Sequence, residues 1–386
     1  MSKSQSGDGY DLIVVGGGIF GLSVAWEAGR RGRRTLVVER RSIPNPIAAS
    51  YGPSRKIRST YLDPHYARLA HEAMSAWRAV EAELGAELYV PVGNLSFTSL
   101  DEQPRLDGLK TVAESVGSAV RDLDERAMRA EFPQFRRARR GLLETQAGFL
   151  RATACVEALR TLALRQEVAF ASEREVESIE PGGDGPVVRT AAETYRAPQV
   201  VLAGGGWSNR LLPELGRSLW QCQQGIVYIQ GVPQAFSRPA FVPFSCLDNG
   251  YYGFPSELGV GLKIAQHVLG EPLADPDFDR STTPPGFVEG AEHFLRDELG
   301  LNLADYPVTY DSCMYNLSRS NDFLLDFHPE LPGLFVATAG SGHGFKFGSI
   351  MGKIVLDRLD GVPGDRWAPQ FSYESFLAAP PTPRPL

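Results

Sequence analysis

Apolar and polar positions alternate in blocks that predict a βαβ unit at the start of the chain. The run 12–15 is continuously apolar, as expected for a strand that is buried on both faces of a parallel sheet. A glycine-rich turn and a stretch with helical periodicity follow, and a second apolar run, 35–38, ends at Glu39. The pattern therefore predicts a strand, a tight turn, a helix and a second strand in that order.

The turn carries a nucleotide-binding fingerprint. The motif GxGxxG follows directly after the first strand and consists of Gly16, Gly18 and Gly21. These glycines permit a tight turn, a close approach of the backbone to a pyrophosphate, and close packing of the helix against the strand. The helix N-terminus then faces the phosphates. Glu39 is placed to accept a hydrogen bond from a ribose hydroxyl and would repel a 2′-phosphate, which favours FAD or NAD over NADP.

Only one such fingerprint is present in the sequence. The glycine-rich stretch 200–212 lacks a following strand with an acidic end, so we interpret it as a later strand of the same sheet. Gly204, Gly205 and Gly206 would then pass close to the cofactor. FAD is therefore predicted as the only nucleotide cofactor.

The remaining pattern predicts an interleaved two-domain protein. Residues 63–85 have helical periodicity, 91–140 mix short strands with charged helices, and 215–315 are strand-like and aromatic. We predict an α/β fold, a Rossmann-type FAD-binding domain interleaved with a smaller antiparallel-sheet substrate domain. The predicted boundaries are 1–90, 141–215 and 316–386 for the FAD-binding domain, and 91–140 and 216–315 for the substrate domain.

Composition and charge exclude several classes of function. The formal charge of −7 disfavours nucleic acid as a partner, and no run of about 18 apolar residues predicts a membrane span. Cysteines at 155, 222, 246 and 313 show no CxxC pairing, which argues against a zinc site or a disulfide framework, and no metal is predicted. The polar N-terminus lacks the apolar region of a secretion signal, so we expect a reducing cytoplasm.

Lysine is scarce, which makes each apolar-flanked lysine a candidate functional group. Of 39 basic residues only six are lysine, and Lys263 in "GLKIAQH" and Lys346 in "GFKFG" both have apolar neighbours. A buried lysine has a compact charge and a shiftable pKa that arginine lacks. Cys313 in "SCMYNL" lies upstream of the second segment; it is either a core cysteine or a site of covalent attachment.

Several segments together resemble one family of flavoproteins. They are the N-terminal fingerprint, "SRKIRSTYLDPHYARLA", "NGYYGFPSELGVGLKIAQH", "SCMYNL" and "GSGHGFKFGSIMGK". In this order they resemble the monomeric sarcosine oxidase family, whose relatives are N-methyltryptophan, pipecolate and fructosyl amino acid oxidases and, more distantly, D-amino acid oxidase. The resemblance implies a D-amino acid oxidase-like fold. It also implies oxidation of a secondary α-amino acid at its CH–NH bond to an imine, with O₂ reduced to H₂O₂.

The resemblance also implies roles for individual residues. Cys313 would carry FAD through a thioether, and Lys263 would lie beside the flavin and stabilise the negative charge that develops on O₂. Arg58 and Lys346 would hold the substrate carboxylate. Three residues would surround the amine and the side chain of the substrate: Tyr252, His267 and Tyr315. Further cofactor contacts are implied at Ile19, Phe20, Arg40, Ser50, Ser54, Arg55, Gly205, Trp207, Gly342, His343, Gly344, Phe345 and Lys346.

The sequence departs from the sarcosine branch near its arginine motif. Tyr51, which we include among the catalytic candidates, takes the place of a histidine, and Ser54 takes the place of a threonine. "SRKIRSTYLDPHYARLAHEA" is closer to the fructosyl and pipecolate branch, whereas "CMY" is closer to the sarcosine branch. The substrate side chain therefore stays open among sarcosine, pipecolate, a ring imine and a glycated amino acid.

Other functions remain as alternatives. A dehydrogenase of the same fold would pass electrons to a carrier, and a fructosyl amino acid oxidase would remove sugar from glycated amino acids. A flavin monooxygenase would need NAD(P)H, and a non-enzymatic subunit of a heteromeric oxidase would lack some flavin-site residues. We expect a monomer whose partners are an amino acid and O₂.

Overall fold

The computed structural model describes residues 9–257, 259–268 and 270–379. Strands in these ranges, numbered in chain order, are β1 (Leu12–Val15), β2 (Thr35–Glu39), β3 (Ser54–Ile57), β4 (Tyr89–Val90), β5 (Asn94–Thr98), β6 (Val120–Leu123), β7 (Arg140–Glu144), β8 (Gly148–Arg151), β9 (Ala169–Ser172), β10 (Val176–Glu180), β11 (Val187–Thr190), β12 (Thr194–Arg196), β13 (Gln199–Leu202), β14 (Leu219–Ile229), β15 (Phe244–Cys246), β16 (Tyr251–Glu257), β17 (Gly261–Gln266), β18 (Val308–Ser318), β19 (Leu324–Phe327) and β20 (Leu334–Thr338).

The α-helices of the same ranges are numbered in the same way. They are α1 (Ile19–Arg30), α2 (Pro64–Leu84), α3 (Pro104–Ser115), α4 (Glu125–Glu131), α5 (Ala152–Arg165), α6 (Ser208–Leu211), α7 (Phe287–Phe294), α8 (Met351–Leu359) and α9 (Tyr373–Ala378). Short 3-10 turns occur between them, among them Gly205–Trp207 and Gly344–Ser349.

The chain divides into two compact units. The first unit contains the described residues of 9–51, 153–220 and 316–379, and the second contains those of 52–152 and 221–315. Each unit has its own sheets and its own apolar core.

The first unit is built on a mostly parallel sheet. Its strand order is β19-β20-β13-β1-β2-β9, and only the pairing of β19 with β20 is antiparallel. Central strand β1 has the sequence LIVV and is buried along its whole length, which agrees with its continuous apolar run. Strands β10, β11 and β12 form a separate antiparallel sheet. The predicted Rossmann-type α/β fold is confirmed.

Helix α1 packs closely against helix α8 within this unit. The backbone amide of Gly352 donates to Ser23 Oγ at 2.7 Å, and a Cβ on Gly352 would meet Ser23 O at 2.1 Å. No larger residue fits at this position without moving one of the two helices. The contact fixes α1, whose N-terminus follows the glycine turn.

The second unit is built on a larger mixed sheet. Its order is β18-β14-β17-β16-β15-β5-β7-β6; the pair β15 and β5 is parallel, and the other pairs with a determined register are antiparallel. One face of the sheet covers an apolar core rich in phenylalanine, including Phe97, Phe135, Phe241, Phe244 and Phe294. Strands β3, β8 and β4 form a small sheet in the same unit.

The predicted domain boundaries differ from these units. Residues 52–90 and 141–152, which we assigned to the FAD-binding domain, lie in the second unit, and 216–220 lie in the first. The reason is long-range pairing: β8 pairs with both β3 and β4, and β7 pairs with β5 and β6. The predicted ends 1–8 and 380–386 lie outside the described residues.

The predicted long helix is confirmed as α2. Asp63 caps its N-terminus by accepting from the backbone amide of His65 at 2.7 Å, and Gly85 ends it in a left-handed conformation with φ 67°. Leu69, Ala73 and Trp77 form its buried face. Across the described ranges, no helix combines the length and apolar composition needed to cross a membrane.

Candidate functional site

The glycine turn after β1 brings backbone segments too close for side chains. Gly16 has φ +111°, and a Cβ there would meet Ala203 O at 2.4 Å. A Cβ on Gly21 would lie 1.9 Å from Gly16 O. Both positions therefore require glycine, and the turn leads directly into the N-terminus of α1. This is the geometry in which backbone N–H groups and the helix dipole attract a phosphate.

Glu39 lies buried beside this turn. It is 6% exposed, and its carboxylate accepts from Gly17 N at 2.7 Å, from Arg41 N at 3.1 Å and from Asn45 Nδ2 at 3.1 Å. A carboxylate has about four acceptor sites, so a further donor such as a ribose hydroxyl can be accommodated. Ser50 Oγ accepts from the amide of Ile19 at 3.0 Å. The structure therefore brings Glu39, Ser50 and the glycine turn together in the first unit.

Two more predicted cofactor residues meet in the same unit. The guanidinium carbon of Arg40 lies 5.1 Å from the centroid of a Trp207 ring. Gly205, two residues before Trp207, has φ +53°, and its carbonyl accepts from Asn316 Nδ2 at 2.9 Å. Asn316 was missing from our candidates because a strand asparagine carries no distinctive sequence signal.

The segment after β20 has an unusual backbone. Ala339, Ser341 and Gly342 have φ of 60°, 45° and 73°, a region that side chains rarely adopt. Such conformations cluster at functional sites, where the surrounding structure holds them. Ser341 Oγ stabilises the turn by donating to Ala339 O at 3.1 Å.

His343 and Lys346 are both buried on this segment. His343 Nε2 lies 3.0 Å from Asn321 O, and its ring stacks on Phe323 at 4.8 Å between centroids. Lys346 is 4% exposed, and its Nζ donates to His343 O at 2.7 Å. A Cβ on Gly344 would lie 2.9 Å from the ring of Phe20. Four predicted site residues thus come together: Phe20, His343, Gly344 and Lys346. Phe345, which was also predicted, lies in the same segment and is half-buried.

The second unit contains a cluster around the carbonyl of Ser54. Arg55 Nη1 donates to Ser54 O at 2.8 Å, and Lys263 Nζ donates to the same oxygen at 3.3 Å. Arg55 Nη2 also lies 3.5 Å from Cys313 Sγ, and Cys313 is 7% exposed. Three residues that are far apart in sequence, Arg55, Lys263 and Cys313, therefore share one buried region.

Lys263 is held between aromatic rings. It is 3% exposed, and its Nζ lies 4.9 Å from the ring centroid of Phe254 and 5.9 Å from that of Tyr228. It forms no ion pair with a carboxylate in the described part of the chain. Burial, with a further contribution from the charge of Arg55, lowers the pKa of Lys263 from 10.5 to about 7.

Tyr252, Tyr315 and His267 form a short polar chain. The hydroxyls of Tyr252 and Tyr315 are 3.5 Å apart, and His267 Nδ1 lies 3.4 Å from the Tyr315 hydroxyl. Burial raises the pKa of Tyr315 well above its ordinary value of 10 and also raises the pKa of Tyr252. Both phenols are therefore neutral at physiological pH, and the chain leads from the half-buried Tyr252 through the buried Tyr315 to the half-exposed His267.

Two further predicted residues are Arg58 and Tyr51. Arg58 Nη1 donates to Thr60 O, and its guanidinium carbon lies 4.8 Å from the ring centroid of Tyr61. Arg58 therefore contacts its own loop rather than Lys263 or Cys313. Tyr51 is 37% exposed, in the first unit.

Sequence reasoning missed two residues beside these clusters. Lys56 Nζ donates to Phe244 O at 2.7 Å and to Ser245 Oγ at 2.5 Å, and it lies 4.8 Å from the ring centroid of Tyr252. Tyr228 pairs with Lys263 across β14 and β17. The scarcity of lysine was the one available signal for Lys56, and an aromatic strand residue such as Tyr228 carries none.

Known relatives share most of the length of this chain. The peroxisomal sarcosine oxidase of Homo sapiens is 31% identical over 369 residues, which cover 91% of this chain and 92% of that protein. The N-methyl-L-tryptophan oxidase of Citrobacter koseri is 29% identical over 361 residues, covering 91% of this chain and 95% of that protein. The resemblance predicted from sequence is confirmed.

A solved structure agrees with this relationship. The open form of NikD, an unusual amino acid oxidase essential for nikkomycin biosynthesis, superposes with a TM-score of 0.77 at 26% identity. The superposition covers 91% of this chain and 94% of that chain. A sequence profile described as FAD dependent oxidoreductase matches residues 11–358. The chain therefore belongs to the family of FAD-dependent oxidoreductases.

Proposed function

We propose that this chain oxidises a secondary α-amino acid, N-methyl, N-alkyl or cyclic, to an imine and reduces O₂ to H₂O₂. The homologous sarcosine and N-methyltryptophan oxidases support this class of substrate over others. Bound FAD would supply the redox chemistry: it would take up a hydrogen and two electrons from the C–H bond next to the amine nitrogen, which leaves a C=N bond, and the electrons would pass on to O₂. The residues of this chain bind the FAD and the substrate, orient the substrate amine and stabilise the negative charge that develops on O₂.

One observation carries the proposal: Lys263 is a buried ammonium group without a carboxylate partner among the described residues. A buried cation is costly unless something offsets its charge. Reduction of O₂ begins with a negative charge that a fixed ammonium group stabilises. A dehydrogenase that passes electrons to a carrier has no need of such a group, so Lys263 favours the oxidase.

Arg58 and Lys346 are the proposed anchors for the substrate carboxylate. A guanidinium matches the two oxygens of a carboxylate, whereas an ammonium group acts as a point charge. In the structure both side chains donate to backbone carbonyls, those of Thr60 and His343. A carboxylate is a stronger, charged acceptor for either group.

Tyr252, Tyr315 and His267 are proposed to bind the substrate amine. The neutral phenols orient it, and its surplus proton moves along the Tyr315 hydroxyl to His267 Nδ1, because an amine needs its lone pair to release a hydrogen from the adjacent carbon. His267 is half-exposed, so it can return this proton to solvent.

Cys313 is the proposed site of covalent FAD attachment, and Arg55 supports this role. The Arg55 guanidinium lies 3.5 Å from Cys313 Sγ, where one of its N–H groups donates to the sulfur. The glycine turn, Glu39, Ser50 and the 342–346 segment are the proposed contacts of the FAD itself.

A substrate screen tests the function. Purified enzyme is assayed for peroxide with sarcosine, other N-methyl amino acids, pipecolate, proline and fructosyl-glycine, beside the Lys263→Met variant. We expect peroxide with a secondary amino acid and far less from the variant. Peroxide from fructosyl-glycine alone would identify a deglycating oxidase. Flavin reduction without O₂ consumption would identify a dehydrogenase, and reduction of the flavin by NADPH would identify a monooxygenase.

The proposal includes a monomer that acts in the cytoplasm on a small amino acid and O₂. Light scattering coupled to size-exclusion chromatography tests the first part, with a mass near 42.2 kDa expected. Cell fractionation tests the second.

A further inference from the structure

Glu144 is a buried carboxylate at the end of β7, outside the clusters described above. It is 1% exposed and lies opposite Asn94 on β5 and Val120 on β6. A charge so deeply buried is normally fully hydrogen-bonded, because an unpaired one destabilises the fold strongly. Its partners therefore indicate what it does.

Within the described residues, the donors to the Glu144 carboxylate come from the two residues that follow Arg58. The amide of Ser59 lies 2.9 Å and 3.0 Å from the two carboxylate oxygens, and the Ser59 hydroxyl donates at 2.6 Å. The amide of Thr60 donates to Oε2 at 3.1 Å. Ser59 and Thr60 are 0% exposed, so these bonds are shielded from water. One carboxylate thus fixes the backbone directly after Arg58.

The same segment supports the Arg58 side chain. Its guanidinium donates to Thr60 O and lies over the ring of Tyr61, which is 3% exposed. Glu144 and Arg58 form no ion pair in the described structure. The hydrogen bonds that link the carboxylate to Arg58 run through the backbone of Ser59 and Thr60.

The contact extends to two further side chains. The Ser59 hydroxyl is hydrogen-bonded to the Ser118 hydroxyl, and Ser118 Oγ lies 3.4 Å from His71 Nδ1. Because Ser59 donates to Glu144, Ser118 must donate to Ser59, and His71 Nδ1 is then the donor to Ser118. This chain connects the segment to α2 and to the turn after α3.

We propose that Glu144 is a positioning residue that holds Ser59 and Thr60 so that Arg58 is preorganised to bind the substrate carboxylate. The inference rests on the proposed role of Arg58 in carboxylate binding. It predicts that Glu144 controls substrate affinity and leaves the chemical step unchanged, because preorganisation reduces the ordering that binding requires.

The test compares Glu144→Gln with Glu144→Asp, Ser59→Ala and the exposed control Glu131→Gln, all as holoenzymes. Glutamine places an NH₂ donor against backbone N–H donors, whereas aspartate keeps an acceptor-only group. For Glu144→Gln we expect KM for the best secondary amino acid to rise about tenfold, with kcat within about twofold. Aspartate should recover part of the affinity, and Ser59→Ala, which keeps both amide bonds, should change KM less.

Two further readouts separate this inference from the proposed reaction. Calorimetry with 2-furoate, a carboxylate without an oxidisable amine, should show the same loss of affinity in Glu144→Gln, and uncharged 2-furamide should show none. Hydrogen exchange of the peptide containing residues 59 and 60 should be faster in Glu144→Gln than in Glu131→Gln. If the glutamine variant is insoluble, Glu144→Asp and Ser59→Ala are compared by the same readouts.

The outcomes are distinct. Furoate binding that weakens in the Glu144 variants supports the inference even if no secondary amino acid is oxidised, in which case only the proposed reaction fails. Unchanged furoate affinity together with faster exchange at 59–60 would overturn it, as would a fall in kcat at unchanged KM. Wild-type protein that does not bind furoate would remove the carboxylate role of Arg58 and the inference with it.

Discussion

Cys313 lies in a different environment from Cys155 and Cys246. Cys155 and Cys246 are buried, and the pKa of Cys246 is raised by burial to about 12, so it is an inert thiol. Cys313 instead lies 3.5 Å from the guanidinium of Arg55. The contrast supports a reactive role for Cys313 alone among these three.

Replacing Cys313 with alanine should abolish covalent flavin. Wild-type protein on a denaturing gel should fluoresce under ultraviolet light at the protein band after acid treatment, and the Cys313→Ala band should be dark. Cys246→Ala is the matched control and should fluoresce like the wild type. A dark wild-type band with yellow supernatant would contradict covalent attachment.

Lys263 should make stability depend on pH in a defined direction. Its pKa is about 7 when folded and about 10.5 when unfolded, so between these values the unfolded chain binds more protons and stability rises with pH. Below pH 7 the buried charge destabilises the folded state fully. Lys263→Met lacks this buried charge and should therefore be more stable than wild type at low pH.

Urea unfolding of the flavin-free proteins measures this effect. The stability advantage of Lys263→Met should be greater at pH 6 than at pH 9 by on the order of 2–3 kcal/mol. Lys110→Met, at an exposed lysine, serves as the control and should show no such trend. An advantage that is constant across this range would mean that Lys263 keeps its ordinary pKa.

At the scale of elements, the βαβ unit was predictable because its signals are local. The unit is one uninterrupted segment of strand β1, the three glycines, helix α1 and strand β2. The residue types that each of these elements requires are visible within that segment. Glu144 was not predictable: its donors lie 84 and 85 residues away, and an isolated glutamate in a strand gives no sign of burial.

Gly21 is the element-level position that tolerates change least. Because a Cβ there would lie 1.9 Å from Gly16 O, Gly21→Ala must move either α1 or the turn. We expect a loss of stability of about 1–3 kcal/mol and a lower content of FAD, because less of it is incorporated. The flavin-to-protein absorbance ratio after desalting and the Tm measure both effects. Gly364→Ala, where a Cβ has open space, is the control, and equal behaviour of the two variants would contradict this account.

At the scale of the whole molecule, the sequence correctly predicted the α/β class and its interleaved organisation, but not the boundaries. Strand β3, which carries Arg55 and Lys56, is close in sequence to the nucleotide-binding unit. It nevertheless pairs with β8, whose partner residues follow almost a hundred positions later. Periodicity identifies a strand but not its partner, because pairing depends on tertiary packing.

The same limit applies to the candidate site. Residues in short glycine-rich or lysine-containing motifs were predictable, since those residue types are needed for close approach or for a fixed charge. The contacts of Lys56 with Tyr252 and of Arg58 with Tyr61 were not predictable, because they depend on how separate strands and loops meet.

The central claim is that this protein is an amino acid oxidase in which Lys263 promotes the reaction with O₂. Double-mixing stopped-flow tests it most directly: the enzyme is first reduced without oxygen by the best secondary amino acid and then mixed with O₂. We predict equal reduction rates for wild type and Lys263→Met, and reoxidation that is slower by about 10²–10³-fold in the variant. Equal reoxidation rates, or a wild-type flavin that no secondary amino acid reduces, would contradict it.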